Sequence, residues 1–277
     1  MFLKKIFIYI YKLFAKIYIF IFGRKSMQFF NNIILSLSLK ARGYQNYGNF
    51  NITGEKLFIQ LIKNEIKLSI DVGANIGKYT NLLLKETKSE IISFEPLPKA
   101  FEKLKIIKDN HINRLKIYNV ALGEKNMSLN INYSDETSEK ASLVENLEDL
   151  SFVGNSNNKR MSIPVRKLDE YQEKFHKKII DLIKIDTEGY EYEVLLGAKE
   201  VLAKHKPKFI QIEFNWHQLL KNQTLYSFSK LLSFYDVFQI LPKGSKLIEI
   251  NPVRPESNIY HLSNFVFIRK DISENYK

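Results

Sequence analysis

The chain contains no cysteine, which excludes disulfides and thiolate metal sites. Its five histidines are scattered, without metal-site spacing. No uninterrupted apolar run reaches the ~20 residues of a spanning helix, because Lys12 and Lys16 interrupt residues 6–22. No small-residue cleavage site follows that stretch, so a secretory signal is not expected. Internal repeats are absent too. The first 25 residues carry no acid, while Lys4, Lys5, Lys12, Lys16, Arg24 and Lys25 supply six of the twelve excess positive charges. The rest of the chain is therefore only mildly basic. That argues against a nucleic-acid partner, which would want a concentrated basic face.

What is present describes an ordinary globular protein: 277 residues, 45% hydrophobic and 26% charged. One domain of roughly 200 residues plus an extension fits that length. We divide the chain into residues 1–25, 26–52 and 53–277. In the first, Lys5, Lys12 and Lys16 fall on one stripe of a helix with Tyr9 beside it, and apolar side chains cover the other faces. This reads as a basic amphipathic helix on an anionic membrane surface, with packing on the domain or on a second subunit as the alternative. The expected location is cytoplasmic, peripheral on the inner face of the membrane. Residues 26–52 form a connector of helix and loop. A helix opens near Thr53, its expected N-cap.

From residue 68 onward, strands and helices alternate in the α/β manner. Strands are expected at 68–72, 91–95, 115–122, 161–166, 181–186, 209–214, 236–241, 247–250 and 265–269, with an added β-segment at 127–133. Helices are expected at 190–205 and 216–234. The last strands suggest an antiparallel pair at one sheet edge. Residues 134–160, rich in Ser, Asn, Asp and Glu, read as a long loop over an acceptor site, with a short helix around 143–150.

The centre of this pattern is Asp71-Val72-Gly73-Ala74-Asn75-Ile76-Gly77. An apolar run ending in a carboxylate and followed by a glycine loop marks the mouth of a nucleotide-type fold. Asp71 would repel a pyrophosphate but suits an ammonium or sulfonium, and S-adenosylmethionine carries both. Glu95 ends the next strand, where an acid accepts hydrogen bonds from ribose hydroxyls. Asn119 and Ala121 lie where an adenine edge would sit. Lys184, Asp186 and Glu188 alternate along one strand end, and Glu213 closes the next. Parallel strands are normally apolar on both faces, so these charges need partners or a wet crevice. Grouped carboxylates raise one another's pKa and furnish a general base, or they hold a divalent cation. A structural network anchored by Lys184 is the alternative. His217 is a second candidate base, whereas His111, His176, His205 and His261 read as surface residues.

Further motifs accompany these: Phe94-Glu95-Pro96, Asn119-Val120-Ala121-Leu122-Gly123, Leu168-Asp169, Ile183-Lys184-Ile185-Asp186-Thr187-Glu188-Gly189-Tyr190-Glu191, Leu195-Leu196-Gly197-Ala198 and Ile210-Gln211-Ile212-Glu213. In this order they resemble FkbM-type S-adenosylmethionine-dependent methyltransferases, from about residue 54 to 267. The resemblance implies a class I, Rossmann-like α/β fold with a mostly parallel seven-stranded sheet and one antiparallel strand. It further implies O-methylation of a hydroxyl on a sugar, glycan or polyketide. Gly73, Asn75 and Gly77 would join Asp71, Glu95, Asn119 and Ala121 at the cofactor, with Asp186, Glu188 and Glu213 catalytic. A sugar or glycan hydroxyl in a surface polysaccharide or glycolipid precursor is the expected acceptor. No Asn-Pro-Pro-Tyr or Asp-Pro-Pro-Tyr follows the fourth core strand, which weighs against adenine or glutamine N-methylation. An RNA methyltransferase on the same fold and an inactive membrane-bound cofactor-binding scaffold are the alternatives.

Overall fold

Two helices lead into the fold: α1 (Phe2–Phe22) and α2 (Gln28–Ala41), bent by 99° across a short 3-10 turn. The computed structural model describes residues 2–144, 158–175, 178–242 and 247–277. Tyr18 donates to Asn31 Oδ1 at 2.7 Å, Asn31 Nδ2 donates to the Phe22 carbonyl at 2.9 Å, and Phe22 stacks on Phe30. Beyond those links the large apolar side chains from Ile6 to Ile21 are exposed, Phe7 at 72% and Phe20 at 75%. Among the described residues, no single helix is long and apolar enough to cross a membrane. α2 joins the domain at its end, where Leu39 is buried.

Next come α3 (Phe50–Thr53) and α4 (Glu55–Ile62). Asn49 Oδ1 caps α3 by accepting from the Asn51 and Ile52 amides. Gly54, not Thr53, occupies the N-cap of α4; the Thr53 hydroxyl instead donates to Glu55 Oε2 at 2.8 Å.

The remaining elements are β1 (Leu68–Val72), α5 (Lys78–Glu86), β2 (Glu90–Phe94), α6 (Pro98–Asn110), β3 (Leu115–Tyr118), β4 (Ala121–Leu122), β5 (Met127–Tyr133) and β6 (Lys159–Arg166). Then follow β7 (Leu182–Ile185), α7 (Glu191–Leu196), α8 (Lys199–His205), β8 (Phe209–Phe214), α9 (His217–Leu220), α10 (Leu225–Leu231), β9 (Tyr235–Ile240), β10 (Leu247–Ile250) and β11 (Ser263–Arg269). The main sheet runs β10-β9-β11-β8-β7-β1-β2-β3. β11 is antiparallel to both β8 and β9, and the strands from β8 to β3 pair in parallel. These are the seven strands of the expected sheet. β10 is an eighth, antiparallel to β9 at the edge. β1, β7 and β8 are buried along their whole length, as central parallel strands under helices on both faces must be.

Three expected elements are broken in the structure. The strand at 115–122 ends at Tyr118, and Ala121–Leu122 pairs instead with β6 in a separate three-stranded sheet, β4-β6-β5. The helix at 190–205 divides at Gly197, where a Cβ would lie 1.9 Å from the Gly123 carbonyl oxygen. That contact sets the turn between α7 and α8 against the residue that follows β4. The helix at 216–234 divides into α9 and α10, the latter restarted by a capping box between Thr224 and Ser227. Of the expected loop helix at 143–150, residues 145–150 lie outside the described residues.

The loops after β1 and β7 meet at Gly73. Its φ is +80°, and a Cβ there would stand 1.8 Å from the Asp186 carbonyl oxygen. Both the left-handed backbone and the rigid neighbour oppose any side chain. Gly73→Ala is therefore expected to cost on the order of 3 kcal/mol and lower the melting temperature by roughly 6–12 °C. A thermal melt with unchanged Tm would refute this account of the junction.

Candidate active site

The carboxyl ends of β1, β2, β7 and β8 open onto a cavity of about 920 Å³, large enough for a cofactor and a small acceptor. Gly73, Ala74 and Asn75 line one half. Glu95 lies beside them and is buried; its carboxylate accepts from the Asn75 amide at 2.7 Å and the Leu97 amide at 2.8 Å. Burial pushes the Glu95 carboxyl up to about 7, against the lowering effect of those two N–H groups. Phe94, Leu97, Ala121 and Leu122 add an apolar wall. A carboxylate with free lone pairs next to a flat apolar wall suits a ribose and its base.

Gly73, Asn75, Glu95 and Ala121 thus face the cavity, but three of the expected cofactor residues do not. Asp71 is turned under α5, where its Oδ2 accepts from the Thr80 hydroxyl at 2.6 Å. Side chains alternate along a strand, so the residue after it, Val72, reaches the mouth instead. Gly77 packs against Leu104 and Ile107 of α6. Asn119 Nδ2 donates to the Glu95 and Pro96 carbonyls, bracing the turn that holds Glu95.

Asp71 belongs to a buried polar row. Ser93, Asp71, Lys184 and Gln211 are register partners across β2, β1, β7 and β8. Helices α4 and α5 roof them: Tyr79 donates to Gln211 Oε1 at 2.7 Å, and Gln211 Nε2 donates to Glu55 Oε1 at 2.8 Å and Asn264 Oδ1 at 3.0 Å. Lys184 Nζ donates to Asp186 Oδ2 at 3.1 Å and Asn264 Oδ1 at 3.3 Å, with Glu55 Oε1 3.8 Å away. Burial works against the Lys184 charge, but the Asp186, Glu55 and Glu213 carboxylates outweigh it and raise its pKa. Both sequence readings of Lys184 therefore meet here: it anchors a structural network and also faces the cavity.

Asp186, Glu188 and Glu213 lie together in the other half of the cavity, each with an oxygen within 4.8 Å of the others'. β7 stops at Ile185, so strand alternation does not carry Glu188 there. A turn does, with Glu188 at φ +52°. Such a backbone costs about 1–3 kcal/mol. The Ser142 hydroxyl donates to the Glu188 carbonyl at 2.5 Å, and the Glu191 carboxylate accepts from the Thr187 and Gly189 amides, together holding the turn. Asn215 Nδ2 bridges Glu188 Oε2 and Glu213 Oε2 at 3.2 and 3.1 Å. Burial, then the Asp186 charge, pushes both glutamates well above the usual carboxylate range. Three such oxygens could hold a divalent cation, but the Lys184 ammonium already supplies positive charge beside Asp186.

His217 also lines the cavity, its Nδ1 2.8 Å from Asn215 Oδ1 and 3.4 Å from Glu188 Oε2. Asn215 Oδ1 can only accept, so Nδ1 carries the proton. Burial lowers the ring to about 4 and keeps it neutral. His205, expected at the surface, is buried at the end of α8, edge-on to Phe175. His176 lies outside the described residues. Sequence reasoning missed Glu55, Asn264 and Asn215. The one available signal was Asn215, two residues past Glu213.

A parallel sheet with one antiparallel strand inserted, a glycine loop after the first strand and an acid closing the second fit the fold expected of an S-adenosylmethionine-dependent methyltransferase. The sequence matches the Methyltransferase FkbM domain over residues 71–245, and the chain belongs to that family. It is similar to the 2-O-methyltransferase NoeI of Sinorhizobium fredii, 25% identical over 202 residues, covering 67% of this chain and 79% of that one. Methyltransferase 1 of Beauveria bassiana is 24% identical over 146 residues, 47% of this chain and 58% of that one. Among solved structures, an rRNA methylase from Streptococcus thermophilus matches at 10% identity and TM-score 0.42, covering 78% of this chain and 93% of that one. That score is low, and the fold assignment rests on the strand order and the family.

A carboxyl with a raised folded-state pKa binds more protons folded than unfolded, so stability falls as pH rises through its window. For Glu95 that window runs from 4.5 to about 7 and for Asp71 from 3.8 to about 6, with Glu188 and Glu213 acting in the same sense. His217 opposes them between 6.5 and about 4. The carboxyls are more numerous. The ligand-free protein is therefore expected to melt higher at about pH 5.5 than at about pH 7.5. Glu95→Gln should reduce that difference. Melts across the range that slope the other way would contradict the burial of these acids.

Proposed function

We propose that the protein methylates a hydroxyl of a sugar or glycan, in a precursor of a surface polysaccharide or glycolipid. The observation that carries this reading is the carboxylate cluster in the half of the cavity opposite Glu95. Carboxylates accept hydrogen bonds from several hydroxyls at once, and an alcohol needs a base to become a nucleophile. The relative named as a 2-O-methyltransferase supports oxygen as the receiving atom.

S-adenosylmethionine, when bound, supplies an electrophilic methyl group on sulfur. Glu95 would hold the ribose hydroxyls, Ala121 and Phe94 the face of the base, and the loop at Gly73 and Asn75 the remaining length. Asp186, paired with Lys184 and one-third exposed, would take the acceptor hydroxyl's hydrogen bond and align its oxygen for in-line attack. As the new C–O bond forms and the donor's carbon–sulfur bond breaks, the hydroxyl proton would pass to a carboxylate of the Asp186, Glu188 and Glu213 cluster.

Asp186→Asn and Glu188→Gln should leave donor affinity unchanged and lower turnover by on the order of 10²–10⁴-fold. Calorimetry with S-adenosylhomocysteine and a labelled-methyl assay measure the two quantities. Wild-type turnover in both variants would return the acids to a structural role. Loss of activity with chelator, restored by Mg²⁺ or Mn²⁺, would replace the base by a cation.

In this reading residues 53–277 are the catalytic unit, 26–52 the connector and 1–25 a helix lying on the inner face of the membrane. The bare apolar surface of α1 and its basic residues support that placement. Removing residues 1–25 should abolish co-sedimentation with vesicles containing anionic lipid and spare S-adenosylhomocysteine binding. Salt should weaken the full-length interaction. A full-length protein that stays in the supernatant and sediments as a dimer would show α1 covered by a second copy instead.

A further inference from the structure

The cavity has an aromatic side that the methyl-transfer chemistry does not use. Residues 43–49 cross its mouth, and they are pinned on both flanks. Tyr44 is fully buried, and its hydroxyl donates to the Glu256 carbonyl at 3.3 Å. The Gly43 carbonyl accepts from Ser263 Oγ at 2.8 Å. Asn46 is buried; its amide donates to the Leu262 carbonyl and its Nδ2 to the Thr53 carbonyl. Directly after these anchors stands Tyr47, 54% exposed and lining the cavity. Its ring centroid is 6.3 Å from that of Trp216, which also lines the cavity, and the planes are tilted by 33°.

This pair belongs to the acceptor half. Trp216 stands between Asn215 and His217, the two residues that hydrogen-bond around the glutamates. The Tyr47 hydroxyl feels the same acids: after burial, the Glu213 and Glu188 charges are what raise its pKa. Glu95 and Ala121 define the opposite side.

We propose that Tyr47 and Trp216 form a platform that stacks on the ring of a neutral sugar and so selects the acceptor. This rests on the glycan reading above and names how the site would recognise one. A pyranose has C–H groups on its faces and hydroxyls at its edge. The negative face of an aromatic ring attracts polarised C–H hydrogens, while carboxylates accept from edge hydroxyls. Platform and acid cluster lie side by side and match both surfaces of such a ring. In that half of the cavity the one ammonium among the described residues, Lys184, is already paired with Asp186 and leaves no free positive charge for a phosphate, which favours an uncharged sugar over a nucleotide. Because residues 43–49 hold Tyr47 before anything binds, little ordering of that loop opposes association.

Trp216 is the only tryptophan in the chain, so its fluorescence reports this surface without background. With the protein saturated in S-adenosylhomocysteine, methyl glycosides of glucose, galactose, mannose, fucose and rhamnose are titrated in turn. At least one should give a saturable change in emission. Tyr47→Ala should weaken that binding and raise KM for the same glycoside by roughly three- to tenfold, with kcat and S-adenosylhomocysteine affinity unchanged. Tyr47→Phe should restore both. A glycoside that is methylated with an unaltered KM in Tyr47→Ala would overturn the platform and leave the glycan reading standing. Methylation of catechol but of none of the glycosides would overturn the glycan reading, and the sugar platform with it. No emission change with any of the five glycosides would also overturn the platform.

Discussion

A single buried ammonium constrains most of what surrounds it. Lys184 sits in the middle of the sheet, 2% exposed, with Asp186, Asn264 and Glu55 within 3.8 Å. An isolated charge there would be prohibitively costly, and removing one partner of a buried pair costs about 3–5 kcal/mol. The partners come from three parts of the chain: α4, the turn after β7 and β11. Packing the sheet therefore fixes the position of Asp186, and satisfying Lys184 fixes the position of α4. The acid cluster is assembled as a by-product of neutralising the core.

The two halves of the cavity are built by different means. On the Glu95 side the backbone sets the geometry: Glu95 is held by two amides, its turn by Asn119, and the β1 loop is drawn onto the β7 loop at Gly73. On the side of the acid cluster, side chains hold strained backbone. Glu188 keeps a left-handed conformation because Ser142, Asn215 and Glu191 all bind its turn. Ser142 belongs to the stretch between β5 and β6, so part of the segment read as a loop over the site touches the acids directly.

The strands were legible because central parallel strands are apolar runs, and their few polar members marked the sheet face that needed explaining. The mostly parallel sheet with one antiparallel strand followed from the family resemblance, while positions at strand ends placed Glu95, Ala121, Asp186, Glu188 and Glu213 at one mouth. Other features were hidden for identifiable reasons. Which way Asp71 points depends on strand parity at its end, and Thr80, nine residues on, claims it. The break at Gly197 depends on a contact with Gly123, far away in sequence. Glu55 and Asn264 drew no notice in the sequence, because nothing local reveals a lysine more than a hundred residues from Glu55 and eighty from Asn264. Tyr47 sat in a segment outside the family pattern, where aromatic residues and glycines suggested only a turn.

The family match spans residues 71–245, yet the physical unit is wider. β11, inserted between β8 and β9, comes after that span. So does Asn264, while Glu55 and Tyr47 come before it. A chain trimmed to the shared span would have a slot in the middle of its sheet and an ammonium with one remaining carboxylate partner at hydrogen-bond distance. The matched span is thus narrower than the folding unit, and residues on both sides of it reach into the pocket wall.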